Sequence, residues 1–176
     1  MRDLFSRLPT LYGARVVLRP LVSSDAPALS RLRESERVYR YLPTFLFEKK
    51  YPDAESVIGL LYTECLDGSL ILGVFEGGAF LGLAEFYGYR KEIKKISVGY
   101  RFLECAWGRG IATETLGVML DHLFGKTDIE IVTASTMLGN AASAGVLKNN
   151  GFALVVHGAP ENWGYPEPTP TDKWIR

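Results

Sequence analysis

The sequence predicts one domain over residues 1–176, of the α/β (α+β) class. Its core would be a mixed, mostly antiparallel sheet of about six or seven strands with helices on both faces. Three observations predict this. A β-branched opening run precedes two helical segments. Three period-two runs then follow one another, as in an antiparallel meander. After them, strand and helix alternate before two closing strands, and a helix between two strands is a crossover that makes those strands parallel neighbours. The order is β, α, α, β, β, β, α, β, α, β, β, with no internal repeat and no linker to split the domain.

Arg15-Val16-Val17-Leu18-Arg19-Pro20 is the first strand, closed by a proline. Ser23-Ser24-Asp25 starts a helix with Ala28, Leu29 and Leu32 on one face. Tyr39 to Tyr51 is aromatic and irregular. A second helix starts near Pro52-Asp53, buries Val57, Ile58 and Leu61, and stops at Gly68. Leu70 to Phe75 and Phe80 to Tyr87 form a hairpin about Glu76-Gly77-Gly78-Ala79, because paired glycines supply the positive φ of a tight turn. Arg90 to Lys95 is a solvated connection to the strand Ile96–Phe102. Leu116, Met119, Leu120 and Leu123 mark an amphipathic helix ended by Gly125. Ile129 to Ala134 is a strand, Asn140 opens a short helix closed by Gly151, and Phe152 to Val156 is a strand. A loop with Pro160, Pro166, Pro168 and Pro170 leads to a short last strand over Asp172 to Arg176, whose edge a second copy would complete in a homodimer.

Composition narrows the function classes. Formal net charge is zero, 47% of residues are hydrophobic and 23% charged, which argues against nucleic acid as a partner. No apolar run approaches the ~20 residues of a membrane helix, and the first residues lack the apolar core of a signal peptide. Cys65 and Cys105 are far apart with no second pair, so neither a disulfide framework nor a metal site is expected. Both are expected to be buried thiols of a cytoplasmic protein.

The segment Val98-Gly99-Tyr100-Arg101-Phe102, then Trp107-Gly108-Arg109-Gly110-Ile111-Ala112-Thr113-Glu114, runs from a strand through a two-glycine turn into a helix. Such a turn presents backbone N–H groups at the positive end of a helix dipole, an arrangement that binds phosphate. A P-loop would need Gly-x-x-x-x-Gly-Lys-Ser/Thr, which is absent, and a dinucleotide fingerprint would need glycine where Thr113 stands.

This stretch resembles the acetyl-CoA motif of the GNAT (GCN5-related) N-acetyltransferase superfamily. Trp107 followed by Ile111-Ala112-Thr113-Glu114 is similar to the RimJ/RimL-like branch. Asn140-Ala141-Ala142-Ser143 through Val146 to Phe152 resembles that branch's second motif, and Val17-Leu18-Arg19-Pro20 its opening. The resemblance implies a V-shaped splay between two parallel strands, with acetyl-CoA in the gap as co-substrate and no metal. The pyrophosphate would take N–H groups from Gly108 to Thr113 beside Trp107, with Arg109 assisting. The pantetheine arm would pair with the strand edge at Phe102 and Leu103, and Asn140 would contact it. A primary amine, on a protein N-terminus or a small molecule, would attack directly, and a backbone N–H would hold the developing oxyanion. The alternative is a sensor or interaction protein that binds acetyl-CoA on this fold with little or no turnover.

Catalytic candidates follow. Ser143, one turn into its helix, is at a family position able to protonate the leaving thiolate; the plain alternative is a first-turn serine facing backbone or solvent. Glu85 is the first candidate base, a carboxylate within an apolar run; its alternative is a solvent-facing strand residue. His157 is a second candidate base, its plain alternative a strand-end histidine, and Glu161 lies in the loop beyond it. Asn140 also fits a helix N-cap, and Glu114 fits charge pairing at a helix start. The acceptor pocket is expected between Tyr39, Tyr41, Phe45 and Phe47 and the late residues Trp163 and Tyr165.

Overall fold

A computed structural model describes residues 8–64 and 68–176. Its strands are β1 (Leu11–Tyr12), β2 (Val16–Arg19), β3 (Ser69–Glu76), β4 (Ala79–Arg90), β5 (Lys95–Phe102), β6 (Ile131–Met137), β7 (Ala153–Glu161) and β8 (Thr169–Ile175). Its helices are α1 (Ala26–Glu34), α2 (Glu36–Tyr39), α3 (Phe47–Lys50), α4 (Ala54–Glu64), α5 (Ile111–Lys126) and α6 (Ala141–Asn149). The strands form one sheet in the order β1-β2-β3-β4-β5-β6-β8-β7. The β5–β6 pair is parallel, as the crossover through α5 requires, and every other pair is antiparallel.

The sheet has a helical layer on each face. Along β3, Leu70, Leu72 and Val74 pack with Leu116, Met119 and Leu123 of α5, while Ile71 and Phe75 pack with Leu29, Leu32 and Leu61 of α1 and α4. Alternation along one strand therefore feeds two cores. The helix faces carry the expected residues: Leu29 and Leu32, then Val57, Ile58 and Leu61, then Leu116, Met119, Leu120 and Leu123 are buried. On α1 the third core residue is Ala26, with Ala28 half-buried. The Asp53 carboxylate caps α4 by accepting the Ser56 N–H at 2.7 Å. α4 is described as far as Glu64, and residues 65–67, before the expected stop at Gly68, lie outside the described residues.

Several boundaries differ from the sequence reading. Gly125 does not end α5; the helix runs to Lys126, and the Thr127 N–H and hydroxyl both bond the Leu123 carbonyl. Pro160 and Pro170 lie in strands rather than a loop. They stand opposite each other in the β7–β8 ladder, and Pro170 turns its carbonyl to the Leu138 N–H, so their missing donors are not needed there. The last strand, β8, is not at an edge. It lies between β6 and β7, so no second copy is needed to complete it, and the sheet edges are β1 and β7. The two-residue β1 is too short for a periodicity to reveal. Cys105 is exposed rather than buried, and Cys65 lies outside the described residues.

The parallel pair is the feature that positions the site. β5 and β6 are in register only at Lys95↔Ile131, Ile96↔Val132 and Ser97↔Thr133. Beyond that, β5 stays with β4 as far as Gly82↔Phe102, and β6 stays with β8 as far as Met137↔Thr171. The two strands part, and the sheet opens into a V.

Candidate active site

The gap between β5 and β6 opens a cleft of about 950 Å³, whose walls include Val98, Tyr100, Phe102, Trp107, Asn140, Ser143, Glu85 and Trp163. Strand geometry decides which backbone groups face it. Just before β5 the Lys94 carbonyl accepts from the Glu130 and Ile131 N–H groups on the β6 side, and just after β5 the Leu103 N–H donates to the Leu81 carbonyl on the β4 side at 2.8 Å. Backbone direction alternates along a strand. Beyond the last β5–β6 pair, Ser97↔Thr133, the Val98 C=O and the N–H and C=O of Tyr100 therefore point into the gap with no strand beside them. They form an unpaired edge inside a sheet, walled by helices.

At the mouth of the V lies the two-glycine turn. Gly108 and Gly110 have φ of +68° and +77°, a region that suits glycine, and a side chain at Gly108 would meet nothing within 4 Å. Gly110 caps α5, whose first paired amide is that of Glu114 onto the Gly110 carbonyl at 3.0 Å. The N–H groups before it lack helical partners, as at every helix start. Gly108, Gly110, Ile111, Ala112 and Thr113 all line the cleft. The Trp107 indole N–H donates to the Phe102 carbonyl at 2.9 Å, which tucks the turn against the end of β5.

Three residues expected to bind the cofactor or act in catalysis do not line the cleft. The Leu103 amide is taken by Leu81, and its side chain packs in the core under α1 and α4. The Arg109 guanidinium turns to Glu76 on the β3–β4 hairpin and to the Cys105 carbonyl. His157 sits on the edge strand β7, with its side chain 73% exposed and Nδ1 2.7 Å from Asp172 Oδ1. Glu114 is also turned away, pairing with Arg15 at the start of β2.

Asn140 and Ser143 are brought to the cleft together. Asn140 is the N-cap of α6, and its Oδ1 accepts the Ser143 N–H at 3.2 Å. The Ser143 Oγ lies 3.0 Å from the hydroxyl of Tyr100, across the gap on β5. Burial raises the Tyr100 phenol to about 12, offset in part by the bond to Ser143, so the phenol keeps its proton at neutral pH. The sequence reading does not single out Tyr100, which the structure places in the cleft beside Ser143. Its signal was weak but present: it shares a strand face with Val98 and Phe102, two residues either way.

The other wall is a charged network. Glu85 lines the cleft, and its carboxylate accepts from Arg101 Nη1 at 2.8 Å and from the Ser69 hydroxyl at 3.0 Å. Arg101 is 5% exposed and also donates from Nη2 to Glu48 Oε2 at 2.6 Å; Glu48 is 1% exposed. The Tyr39 hydroxyl donates to Glu48 at 2.9 Å. Burial alone would lower the Arg101 pKa, but Glu48 and Glu85 outweigh it and hold the guanidinium charged. Burial and the Glu85 and Glu161 carboxylates together push the Tyr87 phenol well above its usual range. Glu161 also lines the cleft; burial would raise its carboxyl, but bonds from Lys173, Trp163 and Thr171 hold it below the ordinary value.

Two loops roof this end. The Thr44 N–H donates to the Trp163 carbonyl at 2.9 Å, and the Tyr165 hydroxyl to the Leu42 carbonyl at 2.8 Å. Tyr41, Phe45, Phe47 and Trp163 line the cleft as expected, whereas Tyr165 acts as a tie and Tyr39 serves the charged network. Among the described residues, no group of three or more His, Cys, Asp or Glu side chains is placed to hold a metal, and no helix is long and apolar enough to cross a membrane.

A model of the acetyltransferase (GNAT) domain family matches residues 15–153. The chain belongs to the GNAT acetyltransferase family. That membership makes it an acyltransferase by class, in a family whose acetyl donor is acetyl-CoA. A curated relative, the uncharacterized N-acetyltransferase p20 of Bacillus licheniformis, is 24% identical over 148 residues, 82% of this chain and 83% of that protein. Solved structures share the fold. RimJ of Mycobacterium smegmatis, in complex with a CoA disulfide, has a TM-score of 0.78 at 24% identity, over 94% of this chain and 86% of that one. RimL, the ribosomal L7/L12 α-N-protein acetyltransferase, in complex with coenzyme A, has a TM-score of 0.80 at 18% identity, over 96% and 97%.

Proposed function

We propose that this GNAT protein moves an acetyl group from acetyl-CoA to a primary amine, on a protein N-terminus or a small molecule, within the RimJ/RimL-like branch. The observation that carries the reading is the parting of β5 from β6 with a two-glycine helix start at its mouth. The site fits coenzyme A in two respects. The turn offers unpaired amides and open space at Gly108 for a diphosphate. The Val98–Tyr100 edge offers an extended arm the hydrogen bonds of a missing strand.

The chain's residues then have distinct tasks. The turn amides hold the diphosphate. The β5 amides facing the gap hold the thioester and place its carbonyl against an N–H donor. Ser143, hydrogen-bonded to Tyr100, gives a proton to the departing sulfur. Glu85 takes the proton of the incoming ammonium, directly or through water, and the roof between Thr44 and Trp163 limits the acceptor to a slender group. His157 has no part in this scheme, because it stands outside the cleft.

Calorimetry with coenzyme A and thiol release with a panel of amines and N-terminal peptides test the reading. Coenzyme A should bind and at least one amine should release thiol above background. Binding without release from any acceptor would favour the acetyl-CoA sensor, for which the engagement of both Glu85 oxygens is the supporting observation. A larger thermal shift from ATP than from acetyl-CoA would remove both.

A further inference from the structure

We infer that Arg15 is a positioning residue of the phosphate cradle, acting from behind the turn. The inference rests on the reading that this turn takes the CoA diphosphate. Arg15 makes three separate contacts. Its backbone N–H and its Nε both donate to the Glu114 carboxylate, at 2.6 and 2.8 Å. Its Nη1 donates to the Arg109 carbonyl at 3.0 Å. The Val16 N–H adds a further bond to Glu114 at 3.2 Å.

The Arg109 carbonyl is the informative partner. In a planar trans peptide, the C=O of one residue and the N–H of the next point in opposite directions. No peptide here is cis. Holding the Arg109 carbonyl toward β2 therefore turns the Gly110 N–H to the opposite side, toward the cleft that Gly110 lines. Glycines at 108 and 110 free this peptide plane to rotate, so its direction must be set by a bond, and Arg15 supplies that bond. Glu114 fixes the guanidinium in turn and ties the first turn of α5 to the start of β2. Arg109, despite its place in the motif, holds the same turn through Glu76.

Magnitudes separate this role from a stabilising one. The Arg15 side chain is 45% exposed, and pairs so exposed contribute little to stability. Aligning one N–H with an anion, by contrast, changes affinity by about tenfold. Orientation, not stability, is what Arg15 supplies.

The test uses the full chain with Arg15→Ala and Arg15→Lys. Titration with coenzyme A and steady-state kinetics with acetyl-CoA and with S-acetylpantetheine, which lacks the diphosphate, give the readout. For Arg15→Ala, the acetyl-CoA KM should rise about tenfold, with kcat at saturation and melting temperature nearly unchanged. S-acetylpantetheine kinetics should match those of the unsubstituted protein. Arg15→Lys should behave like the alanine variant, because a single, shorter-reaching ammonium nitrogen does not reproduce the Nε and Nη1 fork that spans Glu114 and the Arg109 carbonyl. An unchanged KM in Arg15→Ala, full binding in Arg15→Lys, or an equal loss with S-acetylpantetheine would each overturn the inference. If the unsubstituted protein takes no coenzyme A, the functional reading fails first and takes this one with it.

Discussion

The two walls of the V are built from different materials. The wall proposed to hold the cofactor is backbone: amides at the start of α5 and along β5, shaped by Gly108 and Gly110. The wall proposed to face the acceptor is side chain: Glu48, Arg101 and Glu85, brought together from α3, β5 and β4 across up to 53 positions of sequence. The contrast teaches what each wall tolerates. A backbone wall survives most substitutions outside its glycines, because peptide chemistry is common to all residues. A buried ionic wall depends on every member, since removing one partner strands the others in a medium that solvates charge poorly.

The sharpest way to break this comparison is Arg101→Leu. It should cost about 3–5 kcal/mol in urea unfolding, because Glu48 and Glu85 lose their cation. A loss under ~1 kcal/mol would mean that water already screens the network, and the contrast between walls would fail. Next, Ser143→Ala should lower kcat about a hundredfold while leaving the acetyl-CoA KM close to its original value. Tyr100→Phe should lower kcat by less, since Ser143 keeps its own hydroxyl. Equal KM and kcat effects would make Ser143 a binding residue instead.

Gly108→Val sharpens the other wall. Placing a β-branched residue at a φ of +68° costs about 1–3 kcal/mol, and the new methyl groups would project into open space that the diphosphate needs. Calorimetry should show coenzyme A affinity falling by about tenfold or more, and steady-state kinetics should show the amine KM unmoved. The smallest effect is acid sensitivity at the helix start. Burial would raise the Glu114 carboxyl, but the Arg15 and Val16 amides and the Arg15 guanidinium outweigh it and hold it below the ordinary 4.5. Its stabilisation is complete above that ordinary value and is lost as pH falls through the lower folded value. Glu114→Gln should therefore cost about 1 kcal/mol at pH 7 and flatten the acid limb of stability below pH 4.5.

The same contrast explains what the sequence revealed. The meander, the crossover and the core faces of α1, α4 and α5 were legible because they depend on local period. The cradle was legible because two glycines before a helix are a local signal. The charged network was not. Glu48 sits in an irregular aromatic stretch, and nothing in its neighbours announces a partner on β5. Glu85 stands out in the sequence only as a carboxylate in an apolar run, with nothing there to pair it with Arg101. His157 and Arg109 looked functional from residue type and motif position, but strand edge and hairpin contacts turn them elsewhere. Pro160 and Pro170 suggested a loop because the ladder position of a proline, unlike its presence, is a pairing property.

The parting of β5 and β6 also bears on solubility. An exposed row of unsatisfied amides invites foreign strands and can seed aggregation. Here that row is sunk in the middle of the sheet, flanked by α5 and α6 and bridged near one end by the Thr44–Trp163 tie. That position, between helices and inside the sheet, leaves little room for another chain's strand to pair along it. The molecule thus keeps a sticky seam for its own use and withholds it from other chains.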